Sequence, residues 1–167
     1  MQANRIYKGN FSEDDRNTYI SDLLDSAGYQ TKDQTRQGTS YAGKSAGEID
    51  ILIKDSRGLP FTIIEALNLV SVDKKYIKKH IEKLLNNYDT VGLENNFIVV
   101  YANVANFGGF CSKYIDYISN KHKYKYLFQS VKEIEDYRYA DFKIYEAEHI
   151  RHGNKVFLYH VIINFSG

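Results

Sequence analysis

Residues 47–69, GEIDILIKDSRGLPFTIIEALNL, constrain the fold more than any other stretch of the chain. Two apolar runs flank DSRGLP, whose Gly58 and Pro60 are turn formers. The segment therefore reads as a hairpin of two strands, GEIDILIK and FTIIEAL. Into these apolar strands the chain places Glu48, Asp50 and Glu65. A buried carboxylate is costly unless it is paired, hydrogen-bonded or bound to a metal. In the register that sets Asp50 opposite Glu65, Leu52 meets Ile63 and Lys54 meets Phe61, with residues 55–60 as the turn. Asp50 and Glu65 then share one face with Cβ atoms about 5 Å apart. Glu48 lies on that face opposite Leu67, while Ile49, Ile51 and Ile53 point the other way with Thr62, Ile64 and Ala66. Carboxylates so close repel unless a proton or cation lies between them. Hard oxygen ligands suit Mg²⁺, with Mn²⁺ as a substitute, the shell being completed by water and phosphate oxygens. Such an ion polarises a phosphate and helps to make hydroxide from water.

The elements around the hairpin follow from periodicity and turn chemistry. From Ser12, SEDDRNTYISDLLDSAGY carries acids in its first turn and Ile20, Leu23, Leu24 and Ala27 at helical spacing, ending at Gly28. YQTKDQTR reads as a short strand, and QGTSYAGKSAG as a loop. DKKYIKKHIEKLLNNY is an amphipathic helix whose inward stripe is Ile77, Ile81, Leu84, Leu85 and Tyr88. NNFIVVYANV reads as a central strand covered on both faces. Residues 107–121 read as a helix and 131–139 as a short helix. FKIYEAEHI and KVFLYHVIINF form a closing hairpin around 151–154. The order is α-β-β-β-α-β-α-β-β, a single mixed-sheet α/β domain.

Gly47-Glu48-Ile49-Asp50, a turn, then Ile63-Ile64-Glu65-Ala66-Leu67 resembles the PD-(D/E)XK nuclease superfamily, the restriction-endonuclease-like group. That resemblance covers the α-β-β-β-α-β core, residues 12 to about 104, and leaves 105–167 as a C-terminal helix and hairpin extension. It implies a Mg²⁺-dependent phosphodiesterase acting on nucleic acid, with DNA the first expectation. Asp50 matches the first aspartate and Glu65 the second acid, with Glu48 assisting. The resemblance makes the Ala66 carbonyl a further metal ligand, and Glu13 or Asn17 a contribution from the first helix. The lysine of the motif, which positions water or stabilises charge on the phosphate, should follow the second acid by two residues. Leu67 stands there, and leucine can do neither. Lys44, in the glycine-containing loop, is the first candidate to supply the cation; Lys74 and Lys78 on the following helix are the alternatives. An inactive nuclease-fold module that binds nucleic acid or a protein partner is the competing reading, and Leu67 favours it. A different α/β fold with a purely structural hairpin also stays open.

The remaining features carry less. Basic residues alternate with aromatics in KHKYKYLF, where Lys123 and Lys125 could meet phosphates while Tyr124 stacks on a base. His149 and His152 fall at the closing turn and read as surface residues. His160 reads as a strand-face residue, His80 as a solvated helix residue and Cys111 as a buried thiol. SYAGKSAG fails the phosphate-loop spacing. The net charge of +1 predicts no polyanion partner by itself. One cysteine allows no intramolecular disulfide, which suits a reducing cytoplasm. No window approaches a membrane span. A chain this short is open to acting as a homodimer, or with a fused or partner targeting domain.

Overall fold

The computed structural model describes residues 13–33, 49–136 and 139–166. Its organising strand is β4 (Asn95–Ala102), where Ile98, Val100 and Ala102 face one side and Val99 and Tyr101 the other, all buried. An apolar strand of this kind needs neighbours on both edges and cover on both faces. On one edge it pairs in parallel with β3 (Pro60–Leu69), and on the other with β7 (Asn154–Asn164). Outside β3 lie β2 (Ile51–Lys54) and β1 (Gln30–Asp33); outside β7 lie β6 (Phe142–Arg151) and β5 (Leu127–Glu133). The result is one mixed seven-stranded sheet in the order β1-β2-β3-β4-β7-β6-β5.

Three helices among the described residues cover it. α1 (Glu13–Ser26) packs Ile20 and Leu24 on the face of Ile51, Ile64, Val99 and Tyr101. It ends where Gly28 takes φ +91° and the Tyr29 N–H reaches back to the Leu24 carbonyl. Leu23, expected in its inward stripe, is 51% exposed, because this helix meets the sheet along a narrow line. The opposite face carries α2 (Lys74–Glu82) and α3 (Phe107–Asp116). Asp73 caps α2 by accepting from the N–H groups of Lys75 and Tyr76, and Asn106 caps α3 by accepting from Gly109. Both helices run on into π-helical turns, Lys83–Tyr88 and Tyr117–Lys121. The expected stripe of α2 is formed, with Ile77, Ile81 and Leu84 fully buried. No helix among the described residues is long and apolar enough to cross a membrane.

Four expectations need correction. Residues 131–133 belong to strand β5 rather than to a helix, because they pair with Ala147, Glu146 and Tyr145 of β6. Lys54 lies opposite Pro60, not Phe61, because a bulge after Ile53 shifts the register at the turn. Ile49 packs with the α2 and α3 side of the core rather than with Ile51, since the chain bends at Asp50. The C-terminal hairpin is no appendage to residues 12–104: its strand β7 is β4's second neighbour and sits inside the sheet. Its turn is His152–Gly153, with φ of 50° and 84°, the left-handed pair that a two-residue hairpin requires.

Candidate active site

β2 and β3 pair as Ile53↔Thr62, Leu52↔Ile63 and Ile51↔Ile64, and the ladder stops there. One residue further, Asp50 leaves the strand in a bend, and its Oδ2 accepts the Ala66 N–H at 2.7 Å. The carboxylate thus takes the donor that a continued β2 would have used. Glu65 falls between Ile63 and Leu67 on the face beneath α2, where it has no solvent exposure.

Its partners come from α2. The Glu65 Oε1 lies 2.7 Å from His80 Nδ1 and 2.9 Å from Lys83 Nζ. The Lys83 ammonium also lies 4.9 Å from the centre of the Tyr88 ring. Burial pulls the pKa of Lys83 down, but Tyr88 and Glu65 outweigh it and hold the ammonium above its ordinary range. Burial raises the Tyr88 hydroxyl, Lys83 opposes that, and the charges of Glu65 and Asp50 add to the rise. The second Glu65 oxygen, Oε2, is buried and has no hydrogen-bond partner among the described residues. An orphaned anionic oxygen costs more than a neutral one, and a cation there would remove the cost.

No protein-family model, curated protein or solved structure matches this chain. Function must be read from the site alone.

Asp50 is tied to the hairpin through the Ala66 N–H, and the cation beside Glu65 is Lys83, a residue the sequence reading passed over. Lys78 instead pairs with Glu82 at 3.6 Å on the outer face of α2, and Lys74 stands exposed at its first turn. Lys44 and Glu48 lie outside the described residues, as does the side chain of Glu13. Asn17 is buried under Tyr101, whose hydroxyl donates to Asn17 Oδ1 at 3.5 Å. Tyr101 is on the α1 side of the sheet, so Asn17 and Glu65 are on opposite faces. Leu67 is fully buried in the core under α2, where an ammonium would need desolvation. His80 is buried rather than solvated, at 8% exposure. Its place was readable: residue 80 stands three residues after Ile77 and four before Leu84, at the border of the apolar side of the helix. Lys83 flanks that stripe and reaches the sheet through its long apolar stem.

The other candidate ligands divide in the same way. Lys123 and Lys125 are exposed, but Tyr124 turns inward, stacking on Phe128 at 5.3 Å and meeting His149 edge-on at 4.5 Å. Tyr124 is therefore committed to the core and cannot stack on a base. His149 sits in β6 with no exposure, not at the turn; only His152 is exposed there. Cys111 is buried, and burial pushes its thiol up to about 11. Among the described residues, no three His, Cys, Asp or Glu side chains gather into a metal cage. Mg²⁺ does not require one, since it keeps several waters and needs only one or two carboxylates.

Proposed function

We propose that this chain is a metal-dependent phosphodiesterase acting on nucleic acid, with DNA the first substrate to test. The observation that carries the reading is the split environment of Glu65: Oε1 is held by Lys83 and His80, while Oε2 is buried and has no partner among the described residues. Asp50, Glu65 and the Ala66 carbonyl would hold Mg²⁺, which supplies charge neutralisation at the phosphate and a lowered water pKa. His80 fixes the Glu65 carboxylate in one orientation. Lys83 stands in for the cation missing at Leu67, positioning water and stabilising charge that builds on the phosphate. The order α1-β1-β2-β3-α2-β4 supports a restriction-endonuclease-like core for this site.

A second reading has its own support. Because Glu65 is wholly buried, the carboxylate with His80 and Lys83 could serve only to pin α2 to the sheet, in an inactive binding module. Cleavage separates the two. Wild type, Asp50→Asn and Glu65→Gln would be incubated with plasmid and single-stranded DNA in Mg²⁺, in Mn²⁺ and in EDTA. Metal-dependent cleavage lost in both variants supports the phosphodiesterase. Cleavage surviving in either variant removes these acids from the chemistry. No cleavage by wild type under any condition favours the binding module.

A further inference from the structure

The outer face of α2 and its π-helical turn is hollowed into an open groove of about 700 Å³. Four lysines line it, Lys75, Lys78, Lys79 and Lys83, together with the carboxylate of Glu82, and Asn86 and Asn87 lie beyond them. Lys78 is offset by Glu82 and Lys83 is held by Glu65. Lys75 and Lys79 are exposed and make no ion pair among the described residues. Lys75, Lys79 and Lys83 stand four residues apart, so they form one stripe down the helix. The stripe is about 12 Å long at 1.5 Å per residue. That length spans three to four nucleotides at about 3.4 Å of rise per strand.

Two features of the groove define what it would take. Its cations match a polyanion, and no aromatic side chain lines it, so it offers no platform on which a base could stack. With Glu82 offset by Lys78, the ammonium and amide groups left to meet a ligand would fix its backbone and carry no sequence information. Its end is not arbitrary either: Lys83 belongs both to the groove wall and to the buried Glu65 pair.

We infer that this groove binds the sugar–phosphate backbone of nucleic acid without base readout and leads it to Glu65. Lys75 and Lys79 hold successive phosphates, and Asn86 and Asn87 offer amides to phosphate or sugar oxygens. The inference rests on the phosphodiesterase reading for its choice of occupant, but it can fail separately from it.

The test is fluorescence anisotropy of a labelled duplex and its single strand, titrated with the full chain in EDTA at several salt concentrations. The Lys75→Ala/Lys79→Ala variant should bind on the order of tenfold to a hundredfold more weakly at low salt. Its slope of log affinity against log salt should be shallower by about 2, one for each lysine. Lys132→Ala/Lys155→Ala removes two lysines that pair with Glu146 and Glu148 on β6, and should leave both unchanged. No binding by wild type would overturn the inference. So would unchanged affinity in the groove variant, or an equal loss in the control. Groove-dependent binding with no cleavage in Mg²⁺ would retain the groove and overturn only the phosphodiesterase. Cleavage by wild type with binding indifferent to Lys75 and Lys79 would do the reverse.

Discussion

The Lys83 ammonium and the Glu65 carboxylate meet at 2.9 Å across the α2–sheet interface, although the two residues are eighteen apart in sequence. Glu65 is fully buried and the Lys83 side chain is 20% exposed. Removing the cation leaves a buried carboxylate held by His80 alone, and breaking such a pair costs about 3 kcal/mol. Lys83→Met should lower unfolding free energy by about that amount. Lys78→Met, which breaks an exposed pair with Glu82, should change it by less than about 1 kcal/mol. Urea denaturation of the three proteins reads both values.

A second buried pair locks the far end of the sheet. Asp89, 3% exposed, accepts from the N–H groups of Gly92 and Leu93 and from the Asn96 amide, and it pairs with Arg151 at 3.2 Å. Arg151 Nη1 also donates to the Asp89 carbonyl, and its guanidinium lies 4.9 Å from the Tyr126 ring centre. In Asp89→Ala three donors lose their acceptor and Arg151 loses its counter-ion, so a loss of about 3 to 5 kcal/mol is expected. A shift in the urea midpoint with unchanged m-value would confirm a purely energetic effect.

Acid should destabilise the protein through its buried imidazoles. Burial lowers His149 to about 4 and His160 to about 3, and it also lowers His122. Each then has a folded pKa below its unfolded value near 6.5. Between those values the unfolded chain binds protons that the folded chain refuses. The stability they contribute is complete above about pH 6.5 and declines as pH falls towards 4. For His149 alone the loss is on the order of 3 kcal/mol. Neither His149 nitrogen has a hydrogen-bond partner, so His149→Phe removes the titration without orphaning another group. Its stability curve between pH 7 and 4.5 should be flatter than that of wild type.

Much of the fold was legible because apolar pattern and turn chemistry agreed. FTIIEAL read as a strand and NNFIVVYA as a covered one, and setting Asp50 opposite Glu65 across a turn at Gly58 and Pro60 fixed a register that the structure follows at Leu52↔Ile63. Strand β5 was not legible: LFQSVKE lies at the sheet edge, none of its residues is fully buried, and so it carries little alternation. The acids of the hairpin could be found from their cost of burial. Their partners could not be found from motif spacing, because Leu67 fills the expected position and the cation arrives from a helix that the sequence presents as a lysine-rich exposed face. His80, a polar residue bordering the stripe of Ile77 and Leu84, was the available sign that this helix covers something charged.

In the proposed phosphodiesterase, Lys83 and Glu65 would work as a pair in cleavage. The most direct measurement is the rate of DNA cleavage in Mg²⁺ by wild type, Lys83→Met and Lys132→Met, at equal concentrations of folded protein. Lys132→Met, which breaks an exposed pair with Glu146 away from the groove, should cleave like wild type, and Lys83→Met should be slower by a factor on the order of 10²–10³, the loss typical of one charge-stabilising group. Cleavage by Lys83→Met at the wild-type rate would contradict that pairing.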